Sequence, residues 1–142
     1  MMKFAIEEAR KSGEDIPVGA IIVHNGKIIA SACNEREKLS DVSAHAEIVA
    51  IREAEKNMGN WRLENCDMYV TLEPCPMCAW AIIQSRIKNL YFGSYDTNYG
   101  AFGSKIDLRE IANSKLKVFG GIMEDDCDKL LEDYFLEIRK KS

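Results

Sequence analysis

Two short stretches constrain this chain more than anything else in it: His45-Ala46-Glu47 and Pro74-Cys75-Pro76-Met77-Cys78. They read best as one site. Cys75 and Cys78 stand three apart, so on a first helical turn their sulfurs lie on the same side. Two thiolates and an imidazole make a three-ligand set that suits Zn2+ and leaves a fourth position for water or substrate. Glu47, two residues after His45, is then placed to move protons near that position without holding the metal. Taken alone, Cys75 and Cys78 fit a redox pair or half of a structural zinc site equally well, and His45 alone fits a satisfied structural histidine. Together, with no further His or Cys cluster to close a four-ligand site, they point to a catalytic zinc, one ion per chain. The only other histidine, His24, precedes Asn25-Gly26 and reads as exposed.

Periodicity arranges the rest around these stretches. Residues 2–11 read as a short amphipathic helix, and residues 16–23 as a β-rich apolar run. Asn25-Gly26 is the strongest short hairpin signal, so residues 27–32 should return antiparallel. The polar stretch 34–43 reads as a loop. A helix over residues 44–56, with Ser43 as its cap, would carry His45 and Glu47 in its first turn. On a regular helix those two lie about 200° apart, so their convergence depends on first-turn geometry. Residues 68–72 form a strand. Pro74 and Pro76 suit the entry to a mostly apolar helix that runs to about residue 85, and residues 89–93 form another strand. Residues 94–104 read as a mobile surface loop. A short helix at 108–111, a strand at 116–119 and a final helix over 125–140 follow. That last helix has acids at its start and Arg139, Lys140 and Lys141 at its end, as the macrodipole favours. Strands alternating with helices after a hairpin give an α/β fold in three layers, α/β/α.

At 142 residues the chain has the size of one domain, spanning residues 1–142. Its 46% hydrophobic and 30% charged residues are ordinary for a soluble globular protein. No apolar run is long enough for a bilayer, so no membrane partner is expected. The first residues lack the apolar core of a signal peptide, and a cytoplasmic location is the simple reading. Five scattered cysteines argue against a disulfide framework, and Cys33, Cys66 and Cys127 read as small buried hydrophobes. The net charge of −4 and pI near 5.3 weigh against nucleic acid without excluding it. Charge is unevenly placed: Arg86, Lys88, Lys105, Arg109, Lys115 and Lys117 outnumber the acids between them, whereas acids crowd the last helix's start.

An HxE followed by PCxxC is a far more specific signal than CxxC. Zinc-dependent nucleobase deaminases carry this signature, with the glutamate as general acid and base. The chain resembles the bacterial tRNA adenosine deaminases, which convert adenosine to inosine at the wobble position of an arginine tRNA. The resemblance runs over nearly the whole length. It covers Ile16-Pro17-Val18-Gly19-Ala20, Asn34, Ala44-His45-Ala46-Glu47, Trp61-Arg62-Leu63, Tyr69 through Cys75, Ser85-Arg86-Ile87, and Asp96 with Gly100-Ala101-Phe102-Gly103-Ser104. It implies a cytidine-deaminase-like fold with a central mixed five-stranded sheet, with His45, Cys75 and Cys78 as zinc ligands and Glu47 as proton shuttle. By the same resemblance Asn34 would hydrogen-bond the flipped adenine, an agreeable pairing chemically. Pro17, Val18 and Ala46 would line the base pocket, and Asp96 would face the nucleotide backbone. From the residues alone, Asp96 reads equally as a loop-capping acid. The last helix, with Tyr134, Phe135 and its basic end, resembles a tRNA-contacting tail, although both aromatics would as readily be core. A homodimer and a tRNA anticodon stem-loop as partner are also implied. Trp80 stands where the family usually has glycine, which bears on helix packing or the dimer contact. The rival reading on the same fold is a free guanine, cytosine or nucleoside deaminase. From another class, a non-catalytic zinc-stabilised binding module would leave Glu47 beside an open metal position without purpose.

Overall fold

The computed structural model describes residues 1–141. In chain order the elements are α1 (Met2–Ala9), β1 (Gly19–His24), β2 (Lys27–Cys33), α2 (Arg36–Leu39), α3 (Ala46–Met58) and β3 (Cys66–Leu72). They continue as α4 (Pro76–Gln84), β4 (Asn89–Ser94), α5 (Leu108–Ala112), β5 (Lys117–Phe119) and α6 (Glu124–Lys141). The strands form one sheet in the order β2-β1-β3-β4-β5. The first two pairings are antiparallel and the last two parallel, so the sheet is mixed and five-stranded, as expected. Asn25 and Gly26 both take positive φ, 50° and 77°, which is the turn that Asn-Gly favours between β1 and β2.

Strand alternation decides which helices cover which face. Ala20, Ile22, Met68, Val70, Leu90 and Phe92 point to one side and share a core with α3 and α4. Ala46, Ala50 and Ala54 repeat every four residues along α3 and are wholly buried. Small residues on that stripe let the helix axis lie close to the sheet. Ile21 and Val23 point to the other side, against Met2, Ala5 and Ile6 of α1 and Cys127 of α6. The result is three layers. Cys33, Cys66 and Cys127 are free and buried, and burial pushes the Cys127 thiol up to about 12.

Three expectations are corrected. The polar stretch after Asn34 contains the single-turn α2. The helix expected from Ala44 starts at Ala46, with His45 and not Ser43 at its N-cap. Ser43 is spent elsewhere: its N–H and hydroxyl both donate to Asp41 Oδ1, at 2.9 and 2.7 Å. Nor is the 94–104 segment a free loop, because its backbone is tied to a buried carboxylate described below.

Gly19 shows how tightly α1 lies on the sheet. A Cβ at that position would stand 1.9 Å from the Ala5 carbonyl oxygen and 2.5 Å from the Ala9 nitrogen, both backbone atoms that cannot swing aside. Gly19→Ala is therefore expected to destabilise the fold by about 1–3 kcal/mol. The check is chemical denaturation: the midpoint should fall with little change in slope, and an unchanged midpoint would contradict this packing.

Candidate active site

The site lies where α3 and α4 begin, beside the C-terminal ends of the parallel strands β3 and β4. His45 is the N-cap of α3, with extended backbone at φ −69° and ψ 151°. Cys75 is the N-cap of α4, extended at φ −74° and ψ 172°, and Pro76 opens that helix where its missing N–H costs nothing. Because His45 stands outside the helical spiral, the 200° separation from Glu47 does not apply. Both side chains reach the same cavity.

His45 Nδ1 lies 3.7 Å from Cys75 Sγ and 3.5 Å from Cys78 Sγ. The three donor atoms all fall within 4.8 Å of one another. Ordinary zinc–sulfur and zinc–nitrogen bonds at a tetrahedral angle would separate S and N by about 3.6 Å. The donor set therefore fits zinc in both chemistry and spacing. The charges agree. The Cys75 thiol is drawn down to about 4, chiefly by the hydrogen bond from Cys78 and also by His45. That same contact, with burial and the neighbouring Glu47, drives the Cys78 thiol upward. Two adjacent thiolates thus repel one another, and a divalent cation between them removes that repulsion. The hydrogen bond with Cys75 raises the His45 imidazole. Glu47 is 4% exposed, and burial pushes its carboxyl up to about 7.

Above these residues opens a cavity of about 400 Å3, a size that accepts a nucleobase. Val18, Ile16 and Leu72 supply apolar wall, Asn34 and Arg36 line one side, and Asp96 and Tyr99 another. Asn34 is itself framed: its Nδ2 donates to the Ile16 carbonyl at 2.9 Å and its Oδ1 accepts from the Ala46 N–H at 2.8 Å. Asn34 thereby caps α3 from a distance. Ala46 contributes through that N–H, and its buried methyl does not line the cavity. Pro17 does not line it either. It faces a separate groove between α1 and α6, beside Tyr134. Asp96 lines the cavity, and its Oδ1 also caps the loop, accepting from Asn98 and Tyr99 N–H at 3.0 Å each. In α6 the Tyr134 hydroxyl donates to the Glu14 carbonyl at 2.8 Å. Phe135 instead edges a smaller adjoining hollow with Tyr95 and Tyr99.

Glu73, Arg36 and Tyr99 had no role from sequence reasoning. Glu73 is 2% exposed and accepts from the N–H groups of Asp96, Phe102 and Ser104, each at 3.1 Å, and from the Ser104 hydroxyl. The Ala101 N–H also reaches the Pro74 carbonyl at 2.9 Å. Gly100 passes so close that a Cβ there would lie 2.4 Å from Glu73 Cδ. The available signal was an acid between a buried strand and a metal-binding helix, where an apolar residue would ordinarily continue the core.

Residues 1–94 match the family model of the cytidine and deoxycytidylate deaminase zinc-binding region. The chain is 46% identical over 144 residues to the tRNA-specific adenosine deaminase of Bacillus subtilis (strain 168), a match covering 99% of this chain and 89% of that protein. A structure from a study of A-to-I editing by tRNA:A34 deaminases superposes with a TM-score of 0.84 at 40% identity, covering 92% of this chain and 97% of the other. The guanine deaminase of Bacillus subtilis superposes with a TM-score of 0.66 at 36% identity, covering 79% and 72%.

Glu73→Gln places an amide among N–H donors that need acceptors. Such a loss of buried acceptors is expected to cost about 1–3 kcal/mol. Hydrogen exchange should show the Asp96, Phe102 and Ser104 amides exchanging faster, with the β1 and β3 amides unaltered. Equal exchange in both proteins would show that the carboxylate does not hold the loop.

Proposed function

The chain belongs to the cytidine and deoxycytidylate deaminase zinc-binding family, and within it to the tRNA-specific adenosine deaminases; from that premise we propose that it converts adenosine to inosine at the wobble position of a tRNA, an arginine tRNA in the first instance. The observation that carries the chemistry is the His45, Cys75 and Cys78 triangle opening onto a base-sized cavity beside Glu47.

His45, Cys75 and Cys78 would hold the zinc, one ion per chain. Zinc held there supplies Lewis acidity, which makes water a nucleophile near neutral pH. The residues do the rest. Glu47 takes a proton from the attacking water as the new bond to C6 of adenine forms. It passes that proton to N1 of the ring, then carries the proton of the new C6 hydroxyl to N6 as the C6–N6 bond breaks, so adenosine and water become inosine and ammonia. Asn34 has one amide proton and one oxygen lone pair left after its two protein bonds, enough to meet the edge of an adenine. Val18 and Leu72 pack on the base, and Glu73 keeps Asp96 and Tyr99 at the rim. Such a pocket needs its nucleotide turned out of the anticodon loop, where an unstacked base is cheap to extract.

The same reading makes residues 1–142 one deaminase domain, in a homodimer, at work in the cytoplasm. No helix among the described residues is long and apolar enough to cross a membrane. Met77 and Trp80, three apart on α4, are 40% and 46% exposed and offer apolar area for the dimer contact.

The guanine deaminase alternative has a specific observation behind it, the likeness to the Bacillus subtilis enzyme, but that likeness covers less of both chains. One assay separates the readings. Ammonia release from zinc-loaded protein should occur with an anticodon stem-loop and not with free guanine, cytosine, adenosine or cytidine. Turnover of free guanine with an inert stem-loop would reverse the assignment. Glu47→Gln should retain zinc, measured by elemental analysis, while turnover falls about 100-fold or more. Equal turnover in a metal-loaded Glu47→Gln protein would remove Glu47 from the mechanism.

A further inference from the structure

The substrate proposed above brings phosphates to a chain whose formal net charge is −4. The cavity itself is acidic, with Glu47, Glu73 and Asp96 along it. Among its lining residues Arg36 is the single lysine or arginine. That guanidinium is held rather than free. Its Nε and Nη2 donate to Asp15 Oδ1 at 3.1 and 3.0 Å, and Asp15 Oδ2 accepts the Glu37 N–H at 3.0 Å. The Asp15 side chain is 2% exposed and the Arg36 side chain 37%. A buried carboxylate needs such partners, since an unpaired one is costly to desolvate. Asp15 therefore fixes one edge of the guanidinium from inside the fold.

The other edge is left for a ligand. A guanidinium has five N–H donors in one plane, and Asp15 takes two. The neighbouring segment is pinned in the same way. Asn34 N–H bonds the Val18 carbonyl at 3.1 Å, and Asn34 Nδ2 bonds that of Ile16. The residue suited to a base and the residue suited to an anion thus sit two apart on one stretch, clasped to residues 15–18. Planar, weakly hydrated and always charged, an arginine suits phosphate oxygens in pairs. Holding it in place beforehand reduces the ordering cost when RNA arrives.

We infer that Arg36 binds a backbone phosphate of the RNA beside the target adenosine, and that Asp15 positions it for that contact. This rests on the tRNA reading above. An ion pair that merely tied α2 to residue 15 would serve stability and be blind to substrate charge.

The test uses zinc-loaded full-length protein and a synthetic anticodon stem-loop. Single phosphates within two nucleotides of the target are replaced, one at a time, by uncharged methylphosphonates. KM and kcat are measured, together with Kd for a stem-loop already carrying inosine. With wild-type protein, one replacement should raise KM and Kd about tenfold, the scale of a lost charge-assisted contact, with kcat nearly constant. Arg36→Ala should raise them similarly, and combining the two changes should add little, as expected when both remove one interaction. Arg36→Ala should also flatten the dependence of log Kd on log salt by about 0.7. Asp15→Asn should raise KM less than Arg36→Ala does, and Arg36→Lys should recover part of the loss. The inference is overturned if no replacement affects wild-type protein, or if the replacements act as strongly on Arg36→Ala as on wild type. The scan on unaltered protein keeps the question answerable even if Arg36→Ala folds poorly. Failure of the unmodified stem-loop to react at all would instead sink the tRNA reading, a separate outcome.

Discussion

Two helices begin at one point, and everything functional in this chain depends on that meeting. His45 and Cys75 are both N-caps with extended backbone, so their side chains project ahead of α3 and α4 instead of lying along them. Helix beginnings carry unpaired N–H groups and the positive end of the backbone dipole. They are therefore hospitable to the negative charge that two thiolates and a glutamate bring. The sheet keeps the two beginnings together. β1 leads through its hairpin to α3, β3 leads directly to α4, and the antiparallel β1–β3 ladder from Ala20↔Val70 to His24↔Cys66 locks those strands in register.

Around that point, buried carboxylates and amides organise backbone that has no strand or helix to satisfy it. Glu73 gathers three N–H groups of the 94–104 segment, and Asp15 gathers one N–H and an arginine. Asn34 spans the first residue of α3 and the Ile16 carbonyl. None of these three side chains is exposed beyond 7%. Each ties a loop that frames the cavity to the rigid interior, so the rim is as well determined as the floor. A few buried acids thus shape the pocket of an acidic chain: Asp15 and Glu73 face inward and are spent on backbone N–H groups.

The sequence was most informative where one local rule governs. The Asn25-Gly26 turn, the alternation in β1 and β3, and the Pro76 entry to α4 are local effects of backbone sterics and side-chain direction, and each appears in the structure. The start of α3 departs from the local rule that makes Ser43 a good capping residue. Its hydroxyl goes to Asp41, while the α3 N–H is met by Asn34 from another segment. Pro17 lies outside the cavity for a related reason. Neighbours in an extended run point to opposite sides, so Val18 faces the cavity and Pro17 the α1–α6 groove. Glu73 and Arg36 went unassigned because their partners lie on distant stretches of chain, at Ser104 and Asp15, and no spacing rule connects such pairs.

A centre suspended from helix beginnings leaves the far tip of α3 outside it. α3 is closed by Gly59, in a left-handed turn followed by exposed Asn60 and Trp61, whereas α4 is closed by buried Ser85, whose carbonyl accepts the Leu63 N–H at 2.7 Å. Over evolutionary time that exposed tip can be extended, trimmed or given new attachments while the reactive end stays in place. Diversification of such a chain would therefore concentrate at that tip, whose residues the cavity does not use.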